Sequence, residues 1–181
     1  MTEDIIDQYK KQNKPIKINI ACGQQRQEGF IGIDKVKTEA TDIVQDLETF
    51  PWPLENDSVD EILVSHYIEH TKDLIKFVDE MHRIMKKGAK ATIVAPNYAN
   101  MRAIQDPTHL RSICEATFLY FNEGWRKANK LEHYSIASDF DFTYGYSVSP
   151  EWTTRSEEAR VFAMRHYWNV INDIHVILTK R

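Results

Sequence analysis

Four polar clusters in this chain have residue types suited to chemistry, and each directly follows an apolar run. Ala21-Cys22-Gly23 comes after Ile16, Ile18 and Ile20, Asp34 after residues 30–33, Gln45-Asp46 after residues 42–44, and Ser65-His66 after residues 61–64. A glycine at such a point lets a ligand approach the main chain closely. One carboxylate there can accept from both hydroxyls of a ribose diol, and a second can accept from an exocyclic adenine amine. His66 and His70 stand four positions apart with Glu69 between them. That spacing invites a metal, but no third ligand is obvious. The expectation is therefore no metal, with His70 fixing the start of the next helix. Asp106-Pro107-Thr108-His109-Leu110-Arg111 gathers an acid, a hydroxyl, an imidazole and a guanidinium within six positions. It reads equally as a flap over a ligand, with His109 as a base titrating near neutral pH, and as an Asx turn that orders the chain. Cys22 reads as a packing residue, because no cationic neighbour would lower its pKa.

The elements that must hold these groups follow from periodicity. Residues 16–20, 30–33, 42–44, 61–64, 91–95 and 174–178 read as strands, and residues 4–11 as a short helix. Leu74, Phe77, Val78, Met81 and Met85 make an amphipathic helical stripe. Thr71 is its expected N-cap, with Asp73 in the first turn, Lys86 and Lys87 in the last, and Gly88 at C′. A second helix is expected from a capping box at Ser112–Glu115, burying Phe118 and Phe121. A third is expected over 156–168, with Ala159, Phe162, Ala163 and Tyr167 on one face. The late aromatics, Trp125, Tyr134, Tyr144, Tyr146, Trp152, Tyr167 and Trp168, are expected mostly in the core or covering the sheet. Strands separated by crossovers indicate an α/β fold whose ligand lies outside the carboxyl ends of a mostly parallel sheet.

At 181 residues the chain suits a single domain, residues 1–181. Its composition, 42% hydrophobic and 28% charged, excludes a disordered polymer. A net charge of −4 argues against a protein built to grip phosphate backbones. Two cysteines exclude a disulfide scaffold. The charged N-terminal residues and the absence of a long apolar run set the expectation of a cytoplasmic protein with no membrane span.

KINIACGQQRQEGFIGID, DIVQDLETFPWP, SVDEILVSHYIEH and KKGAKATIVAPNY together resemble the class I S-adenosylmethionine-dependent methyltransferases, in particular small type 11-like members. The resemblance implies a Rossmann-like fold with a mostly parallel seven-stranded sheet, ordered 3-2-1-4-5-7-6. Strand 7 would be antiparallel, and helices would lie on both faces. It also implies S-adenosyl-L-methionine as cofactor. Ala21, Cys22 and Gly23 would face the methionine part and Asp34 the ribose. Asp46 and Leu47 would meet the adenine, and Ser65 and His66 the methyl end. Eleven positions separate Gly23 from Asp34, against about 20 in dinucleotide-binding units, so the first crossover helix is expected to be very short or missing. The implied activity is methyl transfer to a small molecule or sugar, with His109 or His66 as base for a hydroxyl acceptor. Ser65-His66-Tyr67-Ile68 stands where enzymes that methylate base amines carry N-P-P-[YFW], which disfavours nucleic acid. The alternatives are a nucleic-acid or nucleotide modifier using Arg126, Lys127 and Lys130, and a non-catalytic binding subunit. Oligomeric state is left open.

Overall fold

The computed structural model describes residues 2–181. Isoleucine and valine dominate the centre of the sheet, as expected of parallel strands covered on both faces. The strands are β1 (Lys17–Ile20), β2 (Ile31–Asp34), β3 (Ile43–Val44), β4 (Val59–Ser65), β5 (Met85–Pro96), β6 (Phe140–Val148) and β7 (Ile171–Lys180). They form one sheet in the order β3-β2-β1-β4-β5-β7-β6. The first five run parallel, and β7 is antiparallel to both β5 and β6. Ile18, Ile20, Ile31, Ile33, Ile62 and Val64 are fully buried, with Trp52, Phe77, Phe118 and Phe140 among the largest core side chains.

The helices are α1 (Thr2–Lys11), α2 (Leu74–Ile84), α3 (Arg102–Gln105), α4 (Glu123–Ala128), α5 (Pro150–Thr153) and α6 (Glu157–His166), with a 3-10 stretch over Glu115–Phe121. None is long and apolar enough to cross a membrane. No helix lies in the β1–β2, β2–β3 or β3–β4 connections, so the first crossover helix is missing, as the spacing predicts.

Several local expectations are corrected. The N-cap of α2 is Asp73, whose Oδ1 accepts from the Lys76 amide at 3.0 Å; Thr71 is fully buried two residues earlier. The helix stops at Ile84 because Met85 turns extended and pairs with Val59. Gly88, at φ +78°, then sits in the register shift of β5 rather than at a helix C′. No helix starts at Ser112. Ile113 is held extended by a bridge to Asn97, and Cys114 caps the 3-10 stretch instead. Helix α6 forms, but only Ala163 on it is buried, and Phe162 is 54% exposed. Tyr134, Tyr144, Tyr167 and Trp168 are likewise exposed rather than core. Strand β6 was not expected, although Phe140, Phe142, Tyr144 and Tyr146 alternate along it.

Buried polar side chains fasten the loops. Glu80 accepts from the Trp52 amide at 2.6 Å and pairs with Arg83, whose guanidinium also donates to the carbonyls of Trp52 and Leu54. Arg126, read from sequence as part of a basic surface, is buried and donates to the carbonyls of Tyr120, Ile136 and Ser138.

Gly32 packs against the β2–β3 connection. A Cβ there would lie 2.0 Å from the Ala40 carbonyl oxygen and 2.9 Å from Cys22 Sγ. Gly32→Ala should therefore lower stability by about 2 kcal/mol or more, read as a lower urea midpoint at unchanged slope. A variant with the wild-type midpoint would contradict this packing.

His82 is half-buried with Nε2 unpartnered. Burial and then the Lys180 ammonium push its pKa down, opposed by Asp79 and Asp139. The unfolded chain thus takes up this proton at a higher pH than the fold does, and stability falls as pH drops through the ordinary histidine range. His82→Gln should lose less stability than wild type between about pH 7.5 and pH 5.5, measured by urea melts at each pH.

Candidate active site

The carboxyl ends of β1, β2 and β4 open onto two clefts that share Ala21. The larger, about 430 Å³, is lined by Ala21, Asp34, Lys35, Leu47, Tyr67, His70 and Thr108. The smaller, about 280 Å³, includes Asn19, Cys22, Gly23, Ser65 and His66. The chain leaves β1 and β4 through left-handed residues, with φ +55° at Ala21, +54° at Gly23 and +52° at His66. That conformation is easy for glycine and strained for alanine and histidine. It ends each strand abruptly, so that the following residues line the cleft.

Asp34 is set before any ligand arrives. Its Oδ2 accepts from the Gly23 amide at 2.9 Å and its Oδ1 from the Val36 amide at 3.0 Å. A carboxylate has about four acceptor sites, so lone pairs remain for a diol. A Cβ built on Gly23 would meet nothing within 4 Å, which leaves open space above that turn. These two observations fit the nucleoside and methionine parts of S-adenosylmethionine. Leu47 is buried and lines the larger cleft. Asp46 lines neither cleft: its carboxylate accepts from the Glu48 amide and Thr49 hydroxyl in a local turn. Cys22 is buried beside Ala40 and Thr41, and burial pushes its thiol pKa up, as a packing role requires.

His66 is partly exposed at the smaller cleft. Its Nδ1 lies 3.6 Å from Glu69 Oε1 and its Nε2 4.0 Å from Asp173 Oδ1. The neighbouring Glu69 and Asp173 carboxylates hold its pKa above the usual imidazole value, against the effect of burial. Asp173 in turn pairs with Arg102 at 3.2 Å.

The segment 106–111 is fastened rather than free. Asp106 Oδ1 accepts from the Thr108 amide and hydroxyl, which is the Asx turn. Arg111 donates to the carbonyls of Ile68, Thr71 and Lys72, and the Leu110 amide donates to the Glu69 carbonyl. Thr108 thereby joins the cleft wall. His109 does not: its side chain is only 8% exposed, its Nδ1 is on the Ala103 carbonyl, and its ring packs against His70. Sequence reasoning missed Tyr67, His70, Thr108 and Lys35 as cleft residues. For His70 and Thr108 the signal was present in H-x-x-E-H and D-P-T-H. What was absent was the tertiary contact between them.

Residues 18–93 match a family model, type 11, described as a methyltransferase domain. No curated protein matches the chain. Among solved structures, a SAM-dependent methyltransferase from Archaeoglobus fulgidus has a TM-score of 0.63 at 18% identity, covering 99% of this chain and 95% of that one. A complex of the Haloferax volcanii Trm112 methyltransferase activator with a methyltransferase gives 0.55 at 10% identity, covering 92% and 82%. Phosphoethanolamine N-methyltransferase 2 of Haemonchus contortus, with S-adenosyl-L-methionine, gives 0.50 at 14% identity, covering 92% and 48%. These structural likenesses are of fold. Residues 18–93, from β1 into β5, thus match a methyltransferase domain, and the chain as a whole shares its fold with S-adenosylmethionine-dependent methyltransferases.

Proposed function

We propose that the protein transfers a methyl group to a small-molecule or sugar acceptor beside His66. The observation that carries this reading is the junction of the two clefts at Ala21. A ligand whose ribose is held by Asp34 reaches Ser65 and His66 with its other end. S-adenosylmethionine supplies an electrophilic methyl group on a sulfonium. The residues of this chain do the positioning, which is the main requirement of an in-line transfer. Ala21, Cys22 and Gly23 present main chain to the methionine part and Leu47 packs the adenine, while Asp46 is held in its own turn, outside the clefts. His66 is the imidazole that orients a hydroxyl acceptor and takes its proton. A base must reach the proton it removes, so the role passes from His109, which lines neither cleft, to His66.

Surface charge supports a small acceptor. Arg126 is buried on carbonyls and Lys127 pairs with Glu123 at 2.7 Å, which leaves little of the basic cluster to hold a phosphate backbone. The two free cysteines suit a reducing, cytoplasmic compartment.

Asp34→Ala removes charge-assisted hydrogen bonds to the ribose and should weaken S-adenosylmethionine and S-adenosylhomocysteine about ten- to a hundredfold by calorimetry. Equal affinity in the variant would move the ribose elsewhere.

His66→Ala should lower turnover about a hundredfold or more while leaving cofactor affinity near wild type. Full turnover in the variant removes His66 from the reaction. A wild type that makes no S-adenosylhomocysteine across a panel of small hydroxyl and sugar acceptors would favour a non-catalytic binding subunit.

A further inference from the structure

Glu69 is the most unusual polar group in the protein. It is 2% exposed, and neither carboxylate oxygen has a hydrogen-bond partner. His66 approaches one oxygen only at 3.6 Å, beyond hydrogen-bond length, and nothing engages the other. A carboxylate buried this way is costly unless a charge is paired with it. Besides His66, two imidazoles lie close to it. One ligand atom from each of Glu69, His70 and His109 lies within 4.8 Å of the others.

Both imidazoles are held by hydrogen bonds at the same nitrogen. His109 Nδ1 lies 3.0 Å from the Ala103 carbonyl, which can only accept, so this nitrogen carries the proton. His70 Nδ1 lies 3.3 Å from the Thr108 carbonyl and 3.0 Å from the Thr108 hydroxyl. That hydroxyl already donates to Asp106 Oδ1 at 2.7 Å, so its oxygen accepts from His70. Each neutral ring is therefore the tautomer whose Nε2 carries the lone pair, that of His109 lying 3.9 Å from Asp106 Oδ2, and this is the state in which a neighbouring carbonyl or hydroxyl prepares histidine for a metal. The fold supplies the third ligand that the sequence did not show. The H-x-x-E-H segment after β4 gives two donors, and the D-P-T-H segment after β5 gives the other.

We propose that Glu69, His70 and His109 bind a divalent first-row transition ion, zinc foremost. Two imidazoles and one carboxylate suit such ions and leave coordination positions for water. Metal–ligand bonds of about 2.0–2.2 Å require the three atoms to close by about 1 Å, within the reach of side-chain adjustment. The ion joins the two segments that Arg111 already fastens, directly behind the wall formed by His70 and Thr108. It neutralises Glu69 and fixes that wall of the cofactor cleft. This site is independent of the identity of the methyl acceptor.

The test uses tag-free full-length protein, titrated with zinc by calorimetry and with cobalt by visible absorption. Wild type should take up about one equivalent of either ion, with a cobalt ligand-field spectrum abolished by a chelator. Glu69→Gln and His109→Ala should each weaken uptake at least about tenfold, and Thr108→Val, which removes the hydroxyl that accepts from His70 Nδ1 and leaves only the longer carbonyl contact, by about tenfold. His133→Ala, an exposed histidine, should bind as wild type does. Asp34→Ala should lose cofactor affinity and keep the metal, so failure of the metal site and failure of the methyltransferase site read out separately. No saturable uptake by folded wild type overturns the proposal. So does undiminished uptake in the Glu69 and His109 variants. If a ligand variant proves unfolded by circular dichroism, the wild-type cobalt spectrum and its response to Thr108→Val decide the matter.

Discussion

A crossover of ten residues between two parallel strands is short for the purpose, because such connections ordinarily run a dozen or more residues and carry a helix that satisfies their backbone. Residues 21–30 have neither the length nor the helix. Side chains take over that task. Asn19 donates to the Gln25 carbonyl, Asp34 accepts from the Gly23 amide, and the Thr38 hydroxyl reaches the Gly23 carbonyl. Arg26 bridges Asp42 and the Ala40 carbonyl, and Asp42 also accepts from the Gly32 amide. The same contacts that close the crossover thus aim Asp34 and leave the main chain at Gly23 open toward the cleft.

Arginines fasten the loops elsewhere in the fold, one of them beside the larger cleft. Arg83 holds the carbonyls of Trp52 and Leu54, Arg111 those of Ile68, Thr71 and Lys72, and Arg126 those of Tyr120, Ile136 and Ser138. A guanidinium presents five donors in a planar fork and accepts nothing, so one side chain can gather several loop carbonyls that no strand or helix satisfies. These residues would be read as surface charge or phosphate contacts in a sequence. In the fold they are fasteners.

Much of the parallel half was legible because its period is strict. Ile16 to Ile20, residues 30–34 and residues 61–65 alternate or run apolar, and each ends in a polar residue that the sheet then places at the cleft. Legibility failed where a long-range partner decided the local conformation. Ile113 is drawn into a bridge with Asn97, which forbids a helix start at Ser112, and Met85 pairs with Val59 before Gly88 can cap anything. Phe162 on α6, and Tyr167 and Trp168 just after it, are exposed and defeat the assumption that large rings are buried. The relation between His70 and His109 was hidden for the same reason: residues 39 positions apart meet only because Arg111 and the Leu110 amide draw one segment onto the other.

The two outer strands of the sheet differ sharply in length. β3 has two residues and β6 has nine. An outermost strand exposes unpaired amides and carbonyls that can template another chain, and a very short one offers almost no template. On the β3 side, next to Asp34, intermolecular pairing has nothing to grip. On the β6 side, with Tyr144 in its exposed middle, there is room for an added strand. Whatever self-assembly this sheet undergoes by strand addition is thereby directed to the side away from Asp34, and the clefts at the strand ends stay clear of it.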